Sequence, residues 1–200
     1  MDNSAFFKIG YGLYVLTARE EERDNGCIIN TLLQLTDSPK RISIAVNKQN
    51  YTHDMILRTG VFNVSVLSQR TGFDVFQQFG FQSGRNTEKV AGYPGIERAA
   101  NGVTYLTGPT NALISGQVFQ TVDLGTHTLF LADATEAKLL SSEETATYSY
   151  YQEHIKPRPQ STSKTGWRCR ICGYLYEGDD LPEDFVCPIC KHGAADFEKV

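Results

Sequence analysis

Alternation of apolar and polar residues is the main pattern between residues 12 and 140 of the chain. A period of two along a segment of four to eight residues indicates a β-strand with one buried face. On this basis strands are predicted over residues 12–18, 26–35, 41–47, 61–67, 112–125 and 126–140. The turn-forming sequence Asp24–Asn25–Gly26 predicts a hairpin between the first two of them.

Two short helices are predicted to interrupt the strands, near residues 52–59 and 72–79. The first begins at Thr52, a residue type that can cap a helix N-terminus. Several antiparallel strands with few helices favour a barrel or a sandwich. The expected fold class is therefore mainly β.

One sharp change in composition divides the chain. Residues 156–165 (KPRPQSTSKT) contain two prolines and three basic side chains but no large apolar residue, which is typical of a solvated linker. The predicted division is a domain over 1–155, a linker over 156–165 and a small domain over 166–200. A segment as short as the last one usually needs a metal or disulfides to fold alone.

Charge and hydropathy exclude several classes of function. The formal net charge of −4 gives no reason to expect a nucleic-acid or anionic-membrane partner. No apolar run approaches the ~18 residues of a membrane span, and the N-terminal sequence lacks a basic region followed by an apolar stretch. A cytoplasmic location is expected.

Four of the five cysteines lie in the small C-terminal segment, whereas Cys27 stands apart and is expected to be a buried, inert thiol. The four clustered cysteines have the spacing C-x2-C-x14-C-x2-C, in which each C-x2-C pair can turn two thiolates toward one ion. This tetrahedral sulfur geometry suits either zinc or iron. Aromatic residues around the motif, and an excess of acidic side chains over basic ones, favour a redox centre over a nucleic-acid-binding zinc ribbon. The predicted metal ligands are Cys169, Cys172, Cys187 and Cys190.

The same segment resembles rubredoxin, and most closely the rubredoxin-like tail of rubrerythrins. The resemblance rests on C-x2-C-G-Y before an acidic loop, on C-P-x-C and on a terminal D-F-E. It implies a single iron bound by four cysteines. Lys191 departs from the pattern, because many rubredoxins have a second glycine at that position.

The long segment contains neither the G-x-G-x-x-G fingerprint nor a Walker A loop. It instead places polar residues at strand ends and at a strand-to-helix transition, where backbone amides favour a phosphate. Taken singly, Thr52 could be only a helix cap and Arg85 only a surface charge. The candidate binding residues are Asn30, Thr31, Gln34, Thr36, Asn47, Lys48, Asn50, Thr52, Ser83, Gly84 and Arg85.

Together these residues make the long segment resemble the flavin reductase-like family of FMN-binding split β-barrels. The resemblance rests on three motifs: an N-T segment ahead of a proline, an N-x-x-x-T stretch and F-G-x-x-S-G-R. The resemblance covers nearly all of 1–155. It implies that residues 30–36 border the isoalloxazine and that residues 47–52 and 83–85 hold the ribityl chain and phosphate. It also implies a homodimer, and a role for His127, in G-x-H-x-x-F, near the nicotinamide of NADH or NADPH.

A flavin reductase-like domain followed by a rubredoxin-like domain resembles the high-molecular-weight rubredoxins. This resemblance implies an NAD(P)H-dependent oxidoreductase in which electrons pass from FMN to iron and on to a redox partner, a flavodiiron protein that reduces nitric oxide or oxygen. The linker would let the iron domain approach the flavin and then turn outward. Two alternatives stay open: a flavin reductase with a structural zinc domain, and a non-enzymatic binding barrel with a zinc ribbon.

Overall fold

A computed structural model describes residues 2–157, 166–171, 173–187 and 192–200. Most of the predicted linker therefore lies outside the described residues, as do Cys172, Cys190 and Lys191. In the described part of the chain, no helix is both long and apolar enough to cross a membrane.

The described chain is mainly β, as predicted. Seven strands form one antiparallel sheet, with the order β2-β1-β5-β8-β9-β4-β3, and β6 and β7 form a separate hairpin. The strands β2 and β3 form the two edges of this sheet, which does not close on itself within the described chain. The strands of this domain are β1 Tyr14–Glu20, β2 Arg23–Ile29, β3 Leu33–Thr36, β4 Arg41–Asn47, β5 Val61–Leu67, β6 Ile96–Arg98, β7 Thr104–Leu106, β8 Thr110–Asp123 and β9 His127–Leu139.

Helices cover parts of the sheet. A 3-10 helix spans Asn3–Lys8, α1 spans Tyr51–Thr59 and α2 spans Phe73–Gly80. A short turn, α3 (Tyr148–Tyr150), continues as a π-helix over Tyr151–Ile155. Helix α1 ends at Gly60, which adopts φ 71° and donates its amide to the Ile56 carbonyl at 2.8 Å. Because this left-handed conformation favours glycine, the position of Gly60 explains where α1 stops.

The core lies on both faces of β1. Leu16 points into one apolar cluster, which also contains Met55 of α1 and Phe130 of β9. The preceding residue, Val15, points into a second cluster with Phe79 of α2. Successive side chains of a strand alternate between its two faces, so one strand contributes to both clusters. Each fully buried side chain of this kind contributes about 1.5–3 kcal/mol to folding.

The predicted turn at Asp24–Gly26 is wrong, because these residues belong to β2. The hairpin turns instead at Glu21 and Glu22, where Glu21 adopts φ 52°. Gly26 is buried in the strand, and a Cβ atom there would lie 3.0 Å from the Phe79 ring. The close approach of α2 to β2 thus explains the glycine. The predicted strand over 26–35 is also interrupted, since β2 ends at Ile29 and β3 begins at Leu33.

The small C-terminal domain has its own sheet with the order β11-β10-β12. Its strands are β10 Trp167–Cys169, β11 Leu175–Tyr176 and β12 Phe197–Lys199. Its described core has three buried residues, Cys169, Cys187 and Phe197, with partly buried aromatic side chains packed around them. So small a core fits the expectation that a metal is needed for folding.

Candidate functional site

A cavity of about 290 Å³ opens between β2, the N-terminus of α1 and the loop that follows α2. We call it the α1 cavity. A second cavity of about 290 Å³ lies beside it and shares Cys27, Asn50, Gly80 and Phe81 as lining residues. Two adjoining cavities of this size offer space of the kind that small-molecule and cofactor sites occupy.

Asn25 presents an unsatisfied acceptor to the α1 cavity. Its side chain is 2% exposed, and its Nδ2 donates a hydrogen bond to Thr52 Oγ1 at 2.9 Å. Its Oδ1 has no hydrogen-bond partner within the described chain. A buried polar atom without a partner is costly, so this oxygen indicates a ligand that donates a hydrogen bond.

The N-terminus of α1 contributes an anion-binding surface to the same cavity. The residue before the helix is Asn50, whose side chain makes no capping hydrogen bond. Tyr51 and Thr52, the first two residues of this nine-residue helix, line the cavity. A helix N-terminus without a side-chain cap is suited to binding an anion. The prediction that Thr52 caps the helix is wrong: Thr52 lies inside α1, is buried, and accepts the hydrogen bond from Asn25.

Lys89 places a buried cation beside the cavity. Its side chain is 2% exposed, and its Nζ donates hydrogen bonds of 3.1 Å to the carbonyls of Gly26 and Phe79. Burial lowers the pKa of the Lys89 ammonium below its ordinary value. A buried ammonium is stabilised by a nearby negative charge, so an anionic ligand suits this position.

Gly84 forms a part of the wall that tolerates no side chain. A Cβ atom at this residue would lie 2.2 Å from Asn25 Oδ1. The Gly84 carbonyl accepts a 2.6 Å hydrogen bond from Arg23 Nη2, which fixes the loop against β2. The loop backbone therefore approaches the unpaired asparagine oxygen closely.

Four of the predicted binding residues, Asn50, Thr52, Ser83 and Gly84, line the α1 cavity. Arg85 lies beside it: the guanidinium bonds Asp54 Oδ2 at 2.7 Å and stands over the Tyr51 ring. Burial alone would raise the pKa of the Asp54 carboxyl. Hydrogen bonds from His53 and Arg85 outweigh that effect and hold this pKa below its ordinary value. Arg85 therefore belongs to the rim of the cavity.

The other predicted binding residues do not line this cavity within the described chain. Thr31 exchanges hydrogen bonds with the backbone of Ala45 on β4, and its neighbour Asn30 is half-buried. Gln34 and Thr36 are exposed on the edge strand β3. These four residues thus lie on the side of the sheet next to β4.

His127 and Asn47 are paired neighbours at the ends of β9 and β4. The His127 Nδ1 atom lies 2.9 Å from Thr126 Oγ1, and Asn47 Oδ1 accepts a hydrogen bond from the Gln49 amide. Lys48 forms a 2.7 Å ion pair with Asp123. The segment between β4 and α1 therefore connects the His127 neighbourhood to the α1 cavity.

No motif indicated Asn25 or Phe81 as residues of the cavity. The sequence pattern places Asn25 in a turn, whereas the structure places it in β2. Lys89 lies four residues after Arg85 and continues the cationic character of that stretch. Phe81 stands at a position that the F-G-x-x-S-G-R motif leaves unspecified.

Two of the predicted metal ligands, Cys169 and Cys187, are buried in one cluster of the C-terminal domain. The Cys169 carbonyl accepts a 2.9 Å hydrogen bond from the Gly173 amide, and the Cys187 amide donates to the His192 carbonyl at 2.8 Å. Gly173 adopts φ 82°, which explains the glycine after the first cysteine pair. The other two predicted ligands, Cys172 and Cys190, lie outside the described residues.

Aromatic rings surround this pair of cysteines. Phe185 packs edge-on against Phe197, with ring centroids 5.3 Å apart, and contacts Tyr176 at 4.7 Å. Trp167 and Tyr174 complete the partly buried shell. An apolar shell of this kind limits water access to a metal centre and tunes its redox potential. The thiolate donors and their surroundings therefore suit a rubredoxin-type iron.

Comparison with known families agrees with both sites. Residues 6–158 match the flavin reductase like domain, and residues 167–198 match the rubrerythrin, rubredoxin-like domain. The chain therefore belongs to the flavin reductase-like family and carries a rubredoxin-like domain in its C-terminus. Over its whole length it is similar to the high molecular weight rubredoxin of Moorella thermoacetica, with 36% identity over 230 aligned positions that cover 100% of both chains.

Other relatives resemble one part of the chain. The ferric-chelate reductase (NAD(P)H) of Archaeoglobus fulgidus is 39% identical over 163 residues, which cover 82% of this chain and 96% of the relative. The rubrerythrin of Nitratidesulfovibrio vulgaris is 56% identical over 34 residues, 17% of each chain. The predicted resemblance to high-molecular-weight rubredoxins is confirmed.

Solved structures show the same fold for the long domain. The flavin reductase PheA2 aligns with a TM-score of 0.61 and 22% identity, covering 74% of this chain and 93% of that one. The styrene monooxygenase flavin reductase of Pseudomonas putida S12 aligns with a TM-score of 0.60 and 24% identity, covering 72% and 89%. The predicted fold class, a split β-barrel with a small rubredoxin-like domain, is confirmed.

Proposed function

We propose that the chain is an NAD(P)H-dependent oxidoreductase that binds FMN in the α1 cavity and one iron at the four cysteines, and passes electrons to a redox protein. The observation that carries this proposal is the unpaired, buried Asn25 Oδ1 in a cavity that also has a helix N-terminus and a buried lysine. A ligand that carries both a hydrogen-bond donor and a negative charge suits this cavity, and FMN supplies both.

The residues fit FMN in the following way. The Asn25 oxygen would accept a hydrogen bond from a hydroxyl or imide group of the ligand. The first amides of α1 would bind the phosphate, with Arg85 and Arg23 at the rim supplying positive potential. The close approach of Gly84 excludes side-chain volume from the wall. When bound, the flavin accepts a hydride and can release its electrons singly.

The residues for nicotinamide and for iron are proposed from the predicted motifs. His127, beside Asn47, would orient the nicotinamide of NADH or NADPH at the end of β9. Asn30, Thr31, Gln34, Thr36 and Lys48 lie outside the α1 cavity and would border the part of the isoalloxazine and ribityl chain that extends beyond it. Cys169, Cys172, Cys187 and Cys190 would hold one iron, which exchanges one electron at a time.

A visible spectrum of the purified protein tests this function. The expected spectrum combines flavin bands with thiolate-to-iron bands, and both bleach after anaerobic addition of NADH. Metal analysis should give about one iron per chain. Stoichiometric zinc, or a protein that binds no FMN, would contradict the proposal. FMN binding with zinc in place of iron would instead favour a flavin reductase with a structural zinc domain.

One relative favours a second candidate function for the long domain. The Archaeoglobus protein, which aligns over 82% of this chain, is a ferric-chelate reductase. The flavin domain would on this view reduce a soluble ferric chelate directly. A Cys169→Ser variant separates the two functions, since direct chelate reduction would keep its rate without the iron domain, whereas transfer to a protein partner would stop.

We also propose a homodimer, because apolar side chains of the long domain are exposed on its strands. The distal half of β8 exposes Phe119 and Val122, and β3 exposes Leu33 and Leu35. Exposed apolar residues grouped on a sheet are typical of an interface between proteins. Light scattering should give twice the chain mass, and Val122→Glu with Leu33→Glu should reduce it to that of a monomer.

The redox partner is proposed to be a flavodiiron protein with a basic docking surface. Five acidic residues are exposed in the loop between the two cysteine pairs: Glu177, Asp179, Asp180, Glu183 and Asp184. Such a cluster steers association with a positively charged partner and makes the rate dependent on salt. Electron transfer to a purified flavodiiron protein should therefore slow as ionic strength rises, and a rate that ignores salt would contradict this role.

A further inference from the structure

Phe81 lies between the flavin domain's cavities and the C-terminal domain. It directly follows α2, and its ring packs against Phe73 with centroids 5.6 Å apart. Its half-buried side chain lines the α1 cavity and also the second cavity beside it. A ligand that fills these cavities would therefore lie next to the Phe81 ring.

The same side chain belongs to the apolar cluster of the other domain. Phe81 packs against the cluster formed by Cys169, Cys187 and Phe197. Within the described chain, it is the one residue of the long domain in that cluster. The ring thus stands in the space between the cavities and the two buried sulfur-bearing residues.

Residues beside the cysteines close the cavities from the opposite side. His192, two positions beyond Cys190, lines the α1 cavity, and Ile171, between Cys169 and Cys172, lines the second cavity. Both belong to the turns that carry the cysteines. The C-terminal domain therefore reaches the cavities through two described residues, Ile171 and His192, which lie next to its two cysteine pairs in sequence.

We propose that Phe81 is the positioning residue that docks the cysteine turns of the rubredoxin-like domain over the flavin cavities, and that this docked arrangement is the one in which the iron is reduced. The proposal rests on the proposed function and adds to it the docking surface: Phe81 on one side, Ile171 and His192 on the other. An apolar contact of this kind holds the domains together without the desolvation cost of an ion pair.

The docked arrangement accounts for the electron count. One NADH yields NAD⁺, one proton and two electrons, and each electron converts one ferric iron to ferrous iron. Because the chain holds a single iron, one hydride requires two successive reductions of that iron. The external redox partner must take the first electron from the iron before the iron can accept the second.

Trp167 provides a test that does not depend on activity. It is the only tryptophan of the chain and lies in the C-terminal domain, where its Nε1 donates to the Asp179 carbonyl at 3.2 Å. In the full chain loaded with FMN and iron, its fluorescence anisotropy should decay with the tumbling time of the whole protein. In Phe81→Ala the decay should shorten to that of a small, freely tethered domain.

Stopped-flow absorbance gives the second readout. In Phe81→Ala saturated with FMN, bleaching of the iron bands after mixing with NADH should slow about tenfold relative to bleaching of the flavin bands in the same trace, as expected for loss of one central aromatic contact. Phe81→Leu should recover most of the rate. Phe6→Ala, which removes an exposed ring from the first helical turn, should behave as wild type.

The outcomes separate the inference from the proposed function. Wild-type anisotropy decay and wild-type iron reduction in Phe81→Ala would overturn the docking role. If NADH fails to bleach the flavin of the wild-type protein, the proposed function fails, and the anisotropy still tests docking. Should Phe81→Ala fold poorly, Ile171→Ser changes the proposed docking surface from the other domain and must give the same two effects.

Discussion

Asn25 and Thr52 are joined by a 2.9 Å hydrogen bond from Nδ2 to Oγ1, which links β2 to the first turn of α1. The bond fixes the orientation of the carboxamide, and its oxygen is left facing the α1 cavity without a partner in the described chain. The hydrogen bond that positions Asn25 thus leaves a buried acceptor at the cavity. Since both side chains are buried, neither can turn toward solvent to relieve the arrangement.

Replacing Asn25 by aspartate should therefore weaken FMN binding. The substitution keeps the shape of the side chain but removes the donor to Thr52 and adds a negative charge near the phosphate. We expect FMN affinity, measured by fluorescence quenching, to fall about ten- to a hundredfold, in line with about 1–3 kcal/mol for a disrupted buried hydrogen bond. Asn86→Asp adds the same charge at an exposed position of the neighbouring loop and should leave the affinity close to wild type.

A methyl group at Gly84 should have a similar effect for a steric reason. Its Cβ atom would lie 2.2 Å from Asn25 Oδ1, so the loop or the asparagine must move. Gly84→Ala is expected to weaken FMN binding while far-ultraviolet circular dichroism stays unchanged. The matched control is Gly108→Ala, since a Cβ atom there meets nothing within 4 Å. Equal affinities for the two variants would show that the ligand does not contact this wall.

Because Lys89 is buried, FMN binding should weaken at alkaline pH. Burial lowers the pKa of its ammonium, so this group loses its charge at a lower pH than an exposed lysine. FMN affinity should fall as pH rises through the lowered pKa. The effect should be absent in Lys89→Met and present in the exposed control Lys138→Met. Titrations of FMN affinity against pH measure it.

Whereas FMN affinity should fall as pH rises, the stability of the flavin-free protein should increase with pH. Between the lowered pKa of the folded state and the ordinary value, the unfolded chain binds more protons at Lys89 than the folded chain does. The free energy of unfolding contributed by this group therefore rises with pH in that window. Denaturant unfolding of wild type and Lys89→Met across the window should show this slope for wild type alone, and equal slopes would contradict the assignment of a charged, buried lysine.

Cys169→Ser should remove the metal and unfold the small domain while the large domain persists. The thiolate-to-iron bands should disappear, and the emission of Trp167 should shift toward that of a solvated indole. The thermal unfolding of the long domain should stay close to wild type. Cys27→Ser is the matched control, because Cys27 lies in the core of the long domain. The Cys27→Ser variant should keep its iron bands.

The strands and helices could be predicted because their signals are local. The alternation over Arg41–Asn47 and Val61–Leu67 coincides with β4 and β5, and both predicted helices begin within one residue of the observed start. The Asp24–Gly26 turn could not be placed correctly, since the strand conformation there depends on the packing of Phe79 against Gly26, a contact between residues far apart in sequence.

The candidate site was predictable only where a motif carried it. Asn50, Thr52, Ser83 and Gly84 meet around one cavity, as their motifs suggested. Asn25 joins them through tertiary structure, because its side chain is held by a hydrogen bond to Thr52, 27 positions away in sequence. Lys89, from the same stretch as Ser83 and Gly84, is held by a hydrogen bond to the carbonyl of Gly26, 63 positions away. The contact of Phe81 with the C-terminal domain depends on packing between domains, for which one sequence offers no periodicity.

Because the apolar core of the C-terminal domain is so small, folding of this domain should depend on the supply of iron in the cell. Only three of its described residues are buried in that core, and two of them are cysteines of the metal motif. In a cell starved of iron, newly made chains would carry an unfolded tail exposed to proteases, beside an intact flavin domain. Such a clipped chain would still oxidise nicotinamide without serving its protein partner, so iron scarcity would uncouple the two halves of the reaction.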